Sequence, residues 1–201
     1  MKTLLNVGGG SRDIALPRHY DGWQRVWLDI DPRVHPDVCL DARQMTQLPP
    51  GTYDAVYCSH NLEHFHRRDA AEVVRGFRHV LKPDGFAQVA VPNLGALFKL
   101  VVEKKLDLDD EIYTSPAGPI QVRDVIYGLH SQIEASSNDF YQHKTGYTAK
   151  SLWTLFTSNG FPHGYVGARE PVELVGVFFP QHPPADLLHS MGIATVATSQ
   201  G

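Results

Sequence analysis

The 201-residue chain has 18 Lys and Arg residues against 22 Asp and Glu residues, a formal net charge of -4, and 42% of its residues are hydrophobic. This size predicts one domain with a single large core. The acidic balance disfavours nucleic acid and anionic membranes as partners. Because the apolar runs are too short for a signal peptide or a membrane span, we expect a cytoplasmic protein in which Cys39 and Cys58 are free thiols.

Runs of β-branched and aromatic residues between Gly, Pro and Asp predict five strands in the first half of the chain. They cover residues 3–7, 25–28, 38–40, 53–57 and 86–91. A helix is predicted after the fourth strand, where Asp69 and Glu72 resemble a capping box, and it ends at a turn over residues 82–85. A second helix is predicted after Thr148. Two further strands, over residues 165–168 and 174–179, are expected to form a terminal hairpin.

Alternating strands and helices, with several strands apolar on both faces, predict an α/β fold with a mostly parallel sheet and helices on both faces. Ligands of such sheets bind at the carboxyl ends of the strands. The loops of interest are therefore those after Val7, Leu28, Leu40 and Tyr57. Residues 1–180 are expected to form one domain, interrupted by an insertion over residues 94–147 whose length is typical of a lid or substrate-binding region. Residues 181–201 form a tail to which we assign no structure.

A glycine loop and the acids that follow it suggest a nucleoside pocket. The three glycines at positions 8–10 end the first strand, where bare backbone permits a sharp turn and close approach of a ligand. Asp29 lies about 20 residues further on, at the end of the next strand, from where a carboxylate can bind both ribose hydroxyls. Asp41, next to Ala42, is placed to accept the exocyclic amine of adenine. Taken singly, the glycines fit a surface turn and Asp41 a solvated loop equally well.

Successive segments resemble the motifs of class I methyltransferases, most closely those of the methyltransferase type 11 kind. The segments are LLNVGGG, WLDIDP, CLDARQMTQLP, YDAVYCSHNLEHF and LKPDGFAQVAVPN, followed more weakly by GYTAKSLWTLFTSNGF. The resemblance implies a Rossmann-like sheet of seven strands with an antiparallel last strand and a helical lid insertion. It also implies an enzyme that transfers a methyl group from S-adenosylmethionine.

The resemblance further implies which positions hold the cofactor. They are Asn6, Gly8, Gly10, Asp29, Asp41, Ala42, Ser59 and His60. Asp29 would hold the ribose, and Asp41 and Ala42 would frame adenine. Ser59 and His60 would lie beside the sulfonium. Asn6 departs from the family, which has an acid there, so it offers the cofactor's ammonium group no charge. The helix that normally precedes the first strand is missing, and the insertion is the expected substitute cover.

Histidines of the loop after the fourth strand are the candidates for a general base. We expect His60 first and His64 second, because imidazole titrates near neutral pH. The insertion supplies aromatic and hydrogen-bonding groups suited to an acceptor pocket. These are Tyr127, His130, Tyr141 and His143. A purely structural role explains these residues equally well. The two histidines would then order the loop after the fourth strand, and the four residues of the insertion would pack the lid. A small-molecule acceptor is expected on charge, and the protein is expected to be a monomer or homodimer.

Three alternatives remain open. A nicotinamide-dependent oxidoreductase is disfavoured because Asp13 stands where its glycine motif needs a third small residue, and Pro17 stops the helix behind the loop. A metal site is suggested by clustered ligands after the fourth strand. These are His60, Glu63, His64 and His66. Without completed ligand spacing elsewhere we expect no metal. A non-catalytic, methyltransferase-like binding module is mildly favoured by Asn6.

Overall fold

The computed structural model describes residues 1–115, 118–136 and 139–193. Five strands occupy the first half of the chain, where the apolar runs predict them. They are β1 (Thr3–Val7), β2 (Gln24–Asp29), β3 (Val38–Cys39), β4 (Tyr53–Ser59) and β5 (Leu81–Pro92). Short 3-10 helices fill several of the connections. They are Arg18–Tyr20, Pro32–Val34, Ala42–Gln47 and Leu62–His64.

Helix α1 (Arg67–Val80) begins two residues before the predicted capping position. His66 is its N-cap residue and makes no side-chain cap hydrogen bond, so the predicted capping box at Asp69 is wrong. Asp69 instead lies in the first turn, 3.6 Å from the Arg43 guanidinium. The predicted turn over residues 82–85 is an irregularity within β5, where the register shifts opposite Asp54.

The insertion contains helices and a hairpin. Its elements are α2 (Leu94–Lys104), β6 (Glu111–Ser115), β7 (Gly118–Gln121), α3 (Val122–Tyr127) and α4 (His130–Ala135). Residues of α2, β6, β7 and α3 share a small core around Leu97, Val122 and Val125, to which Val172 from outside the insertion also contributes. A parallel bridge joins Asn93 to Tyr147, so the insertion leaves and rejoins the domain at one point.

The remaining elements complete the sheet. They are α5 (Ala149–Thr157), β8 (His163–Arg169), β9 (Glu173–Phe179) and α6 (Ala185–Ser190). The strand order is β3-β2-β1-β4-β5-β9-β8, with β9 antiparallel to both of its neighbours and the other pairs parallel. The predicted Rossmann-like α/β fold is therefore confirmed.

The two faces of the sheet are covered unequally. Helices α1 and α5 bury one face, with Phe77 and Phe156 at its centre. The other face is covered by the short turn Arg18–Tyr20 and by α6, through Tyr20 and Leu188. The tail therefore contains a helix that the sequence did not predict, and its last residues, 194–201, lie outside the described residues. None of the described helices is long and apolar enough to cross a membrane.

Candidate active site

The carboxyl ends of β1, β2 and β4 meet at one edge of the sheet. The parallel register sets Val7 between Leu28 and Cys58. The Gly8 N–H continues this ladder by donating to the Leu28 carbonyl over 2.9 Å. The glycine loop, Asp29 and the loop after β4 consequently lie side by side, which is where an open α/β sheet binds ligands.

The glycine loop is hydrogen-bonded to the predicted ribose-binding acid. Gly8 and Gly10 have φ angles of +67° and +62°, which side chains rarely adopt. The Gly10 N–H donates to Asp29 Oδ2 over 3.4 Å, and the other carboxylate oxygen accepts from the Asp31 N–H over 3.0 Å. Two residues that the sequence separates by 19 positions are thus in contact.

The three glycines of this loop differ in how much free space surrounds them. A Cβ atom on Gly8 would lie 2.1 Å from Asn61 Nδ2, and one on Gly9 would lie 2.4 Å from Asn6 Nδ2. A Cβ on Gly10 would meet nothing within 4 Å. The space that a ligand can enter without moving the chain is therefore at Gly10.

An open depression of about 330 Å³ lies beside this glycine. It is lined by Gly10, Ser11, Arg12, Trp27, Val34 and His35. The indole Nε1 of Trp27 is buried and has no hydrogen-bond partner among the described residues. The bare backbone at Gly10, with the half-buried Asp29 carboxylate bonded to it, fits a ligand that joins a nucleoside to an amino acid.

The acid proposed to frame adenine is engaged by the chain. Asp41 caps the 3-10 helix Ala42–Gln47 and accepts from the backbone N–H of Arg43 over 2.9 Å. Both of its carboxylate oxygens also accept from the Arg43 guanidinium. Burial raises the pKa of Asp41, but these contacts outweigh it and the net pKa lies below the ordinary value. Arg43 therefore competes with an adenine amine for this carboxylate.

His60 lies between two carboxylates. It follows Ser59, the last residue of β4, and has a φ of +48°. Its Nε2 is 2.8 Å from Glu173 Oε1, and its Nδ1 is 3.5 Å from Glu63 Oε1. Burial lowers the pKa of His60, but the two carboxylates raise it to a net value of about 10. A ring charged at neutral pH cannot accept a proton, so this geometry gives the predicted general base no support.

Only one of the four predicted acceptor residues, His143, lies near Glu63 and the loop after β4. His143 is nearly buried, with Nε2 4.0 Å from Glu63 Oε1. The side chains of Tyr127 and Tyr141 are exposed, and His130 pairs with Glu134 on its own helix. The backbone N–H groups of residues 144 and 145 donate to the Glu63 carbonyl, so the end of the insertion is fixed to the loop after β4.

Three nearby residues escaped the sequence analysis as site residues. Glu173 begins β9, and because β9 runs antiparallel to β5, its first residue lies at the carboxyl edge opposite Pro92. The sequence signal that could have identified Glu173 is an acidic residue directly before a strand that is predicted to run antiparallel to the rest of the sheet. No such sequence signal exists for Trp27 and Asn61, because their contacts with the glycine loop arise only when the strands pair in the folded sheet.

The comparisons with known proteins agree with the fold. The model of the family described as "Methyltransferase domain" matches residues 1–162. A search of curated protein sequences found no match. Among solved structures, the chain is similar to a SAM-dependent methyltransferase from Archaeoglobus fulgidus, at 14% identity and a TM-score of 0.56, covering 88% of this chain and 85% of that one.

Two further structures give the same result. A SAM-dependent methyltransferase from Thermotoga maritima, described as a possible histamine N-methyltransferase, has 13% identity and a TM-score of 0.57 over 90% of this chain and 83% of that one. A SAM-dependent methyltransferase from Methanosarcina mazei has 14% identity and a TM-score of 0.56 over 88% of this chain and 91% of that one. The family match covers most of the chain and the fold agrees with it. The chain therefore belongs to the methyltransferase domain family, as an S-adenosylmethionine-dependent enzyme of class I.

Proposed function

We propose that the protein transfers the methyl group of S-adenosylmethionine to a small-molecule acceptor held between the loop after β4 and the end of the insertion. The observation that carries this proposal is the hydrogen bond between the Gly10 N–H and the Asp29 carboxylate. It joins bare backbone to the proposed ribose-binding carboxylate at the carboxyl edge of the sheet, beside the loop that follows β4.

In this proposal the cofactor's nucleoside lies at Asp29, with Asp41 and Ala42 near adenine. Its amino-acid portion lies over Gly8 and Gly10. Buried Asn6 packs under this loop, where it supports the backbone without adding charge. Because Asn61 fills the space above Gly8, we expect this side chain to shift when the cofactor binds.

S-adenosylmethionine supplies a methyl group activated by a positively charged sulfur atom. The chain's own task is to align the acceptor with that methyl group and to exclude water. Ser59 and His60 are proposed to lie beside the sulfonium, where the two carboxylates hold the ring of His60 in place. His64 donates through Nδ1 to the Gln142 carbonyl, which leaves a lone pair on Nε2. The general-base roles of both histidines stay predictions.

Calorimetric titration with S-adenosylhomocysteine tests the cofactor site. Asp29→Ala removes the ribose acceptor and the anchor of Gly10, so it should weaken binding by about 10-fold to 100-fold, as expected for hydrogen bonds to a charged group. Asp21→Ala removes an exposed carboxylate before β2 and should leave the affinity unchanged. If wild type fails to bind, or Asp29→Ala binds as tightly as wild type, the proposed site is wrong.

The acceptor class has a separate test. The net charge of -4 favours a small molecule over nucleic acid. Incubation with cofactor labelled in the methyl group, together with separated cell fractions, should label the small-molecule fraction. Label confined to nucleic acid or protein would contradict the proposal. Binding of S-adenosylhomocysteine with no labelled product in any fraction would favour a non-catalytic binding module.

We also propose that the protein acts in the cytoplasm as a monomer or homodimer. Both cysteines are free, and Cys58 is buried, which suits a reducing compartment. Light scattering of the purified chain measures its mass in solution, and a tetramer or larger assembly would contradict this part of the proposal. Cell fractionation tests the location.

A further inference from the structure

One carboxylate and two imidazoles converge beside the candidate active site. Glu63, His64 and His143 each offer one potential metal-ligating atom, and these atoms all lie within 4.8 Å of one another. The first two belong to the 3-10 helix after β4, and the third belongs to the end of the insertion. The cluster therefore forms only when the insertion folds back onto the domain.

The Glu63 carboxylate is buried, and its nearest cationic partner, His60, makes only a long contact with it. The residue is 1% exposed, and neither of its oxygens has a hydrogen-bond partner in the described part of the chain. The Nδ1 of His60 is 3.5 Å away and the Nε2 of His143 is 4.0 Å away, both beyond the length of a good hydrogen bond. A buried carboxylate requires a paired cation or a metal ion. His60 makes its shorter contact, of 2.8 Å, with Glu173, so a metal ion could approach Glu63 more closely than this imidazole does.

Both imidazoles are held in the form that binds metals. The Nδ1 of His64 lies 3.1 Å from the Gln142 carbonyl oxygen, and the Nδ1 of His143 lies 3.1 Å from the Val125 carbonyl oxygen. A carbonyl oxygen only accepts hydrogen bonds, so each Nδ1 carries a proton, and Nε2 is the ring atom left to bind a metal. Metal-binding histidines are oriented in the same way, by donating the other ring N–H to a carbonyl or carboxylate.

Backbone contacts hold the ligand-bearing segments together. The N–H groups of Lys144 and Thr145 donate to the Glu63 carbonyl over 2.8 and 3.2 Å. The buried Tyr147 hydroxyl donates to the Leu62 carbonyl over 3.3 Å. The cluster thus rests on a fixed backbone, and only side-chain rotations are needed to adjust the distances between its ligand atoms.

We propose that Glu63, His64 and His143 form a binding site for one divalent transition-metal ion such as Zn²⁺, ligated by a carboxylate oxygen and two Nε2 atoms. Carboxylate and imidazole suit zinc, which binds them at about 2.0–2.2 Å and then separates neighbouring ligands by about 3.4 Å. The most distant of the ligand atoms must therefore approach one another by about 1.4 Å. The ion neutralises Glu63 and occupies the His64 lone pair, so a metal-bound His64 does not act as a general base.

Metal titration of the full-length chain, stripped of metal by a chelator, tests this site. Calorimetry with Zn²⁺ and the visible absorption of bound Co²⁺ should both give one ion per chain for wild type. Loss of a group that only orients a ligand costs about 10-fold to 100-fold in metal affinity, so His64→Ala and His143→Ala should each cost more than about 100-fold. His189→Ala removes an exposed histidine of α6 and should bind like wild type.

Glu63→Gln separates the metal site from an ordinary ion pair. If the carboxylate is a metal ligand, this change abolishes metal binding; because Glu63 also contacts the charged His60, it should lower the melting temperature of the metal-free protein as well. If Glu63 serves only as the partner of His60, Glu63→Gln lowers the melting temperature but binds Zn²⁺ as wild type does, and the proposal fails. It also fails if wild type binds neither metal, or if binding persists in both His64→Ala and His143→Ala. None of these outcomes depends on methyl transfer.

Discussion

At the scale of single residues, Gly8 and Gly10 share a backbone conformation but differ in what surrounds them. Both have φ near +60° to +70°, a region that costs an ordinary side chain roughly 1–2 kcal/mol. Only Gly8 is crowded, by Asn61. One glycine of the motif thus serves packing of the chain, and the other leaves room for a ligand.

We predict that Gly10→Ala weakens binding of S-adenosylhomocysteine through its added Cβ atom. Gly51→Ala is a matched control, because Gly51 has φ of +61°, also has open space around it, and lies before β4 at the opposite edge of the sheet. Both variants should lose about 1–2 kcal/mol of unfolding free energy in urea. Calorimetry should show weaker binding for Gly10→Ala alone, and equal affinities would remove Gly10 from the pocket.

The sequence predicted some members of the site and not others for a physical reason. Asp29 was found because the end of a strand and the spacing from a glycine loop are local features. Glu173 was missed because its contact with His60 spans 113 positions and depends on where β9 joins the sheet. His143 was named as an acceptor residue, but its proximity to Glu63 follows only from the folded insertion.

At the scale of elements, the buried strands were predictable because each is a short run rich in β-branched, aromatic and other apolar residues between Gly, Pro and Asp. The cover of the second sheet face was not, since α6 has only six residues and depends on the burial of Leu188. The hairpin of β6 and β7 was likewise missed, because its short strands lie outside the main sheet and β7 begins with glycine and proline. Short elements are specified by tertiary contacts rather than by their own periodicity.

Helix α5 packs against the sheet through an aromatic stack and the buried side chain of Leu152. The Phe156 ring is fully buried and lies parallel to the Phe178 ring, with centroids 3.9 Å apart. We predict that Phe156→Ala lowers the free energy of unfolding by about 3–5 kcal/mol, because a large buried ring leaves a cavity. Phe156→Leu refills part of that cavity and should cost clearly less. Urea denaturation measures both.

Phe98→Ala is the control for that experiment. Phe98 is 55% exposed on α2, so its removal should change the free energy of unfolding by no more than about 0.5 kcal/mol. If Phe156→Ala costs as little as Phe98→Ala, α5 does not pack on the sheet as described.

At the scale of the whole molecule, Asp54 connects three strands at the amino edge of the sheet. One carboxylate oxygen accepts from the Thr3 N–H at the start of β1 over 2.8 Å, and the other accepts from Lys82 Nζ on β5 over 2.9 Å. Burial raises the pKa of Asp54, but these contacts outweigh it and the net pKa lies below the ordinary value. A depressed folded-state pKa stabilises the protein above the ordinary carboxyl pKa and loses that contribution as the pH falls through the folded value.

We therefore predict that Asp54→Asn is less stable than wild type by about 1–2 kcal/mol at pH 7, because it loses the charge that binds Lys82. The difference should begin to shrink below about pH 4, where the carboxyl group of the unfolded chain takes up a proton, and should disappear as the pH falls through the lower folded-state pKa. Urea denaturation at a series of pH values measures it, and Asp21→Asn, which removes an exposed carboxylate, controls for net charge. A difference that stays constant down to pH 2 would mean that Asp54 acts through its shape alone, because a neutral wild-type carboxyl group has no charge advantage over asparagine.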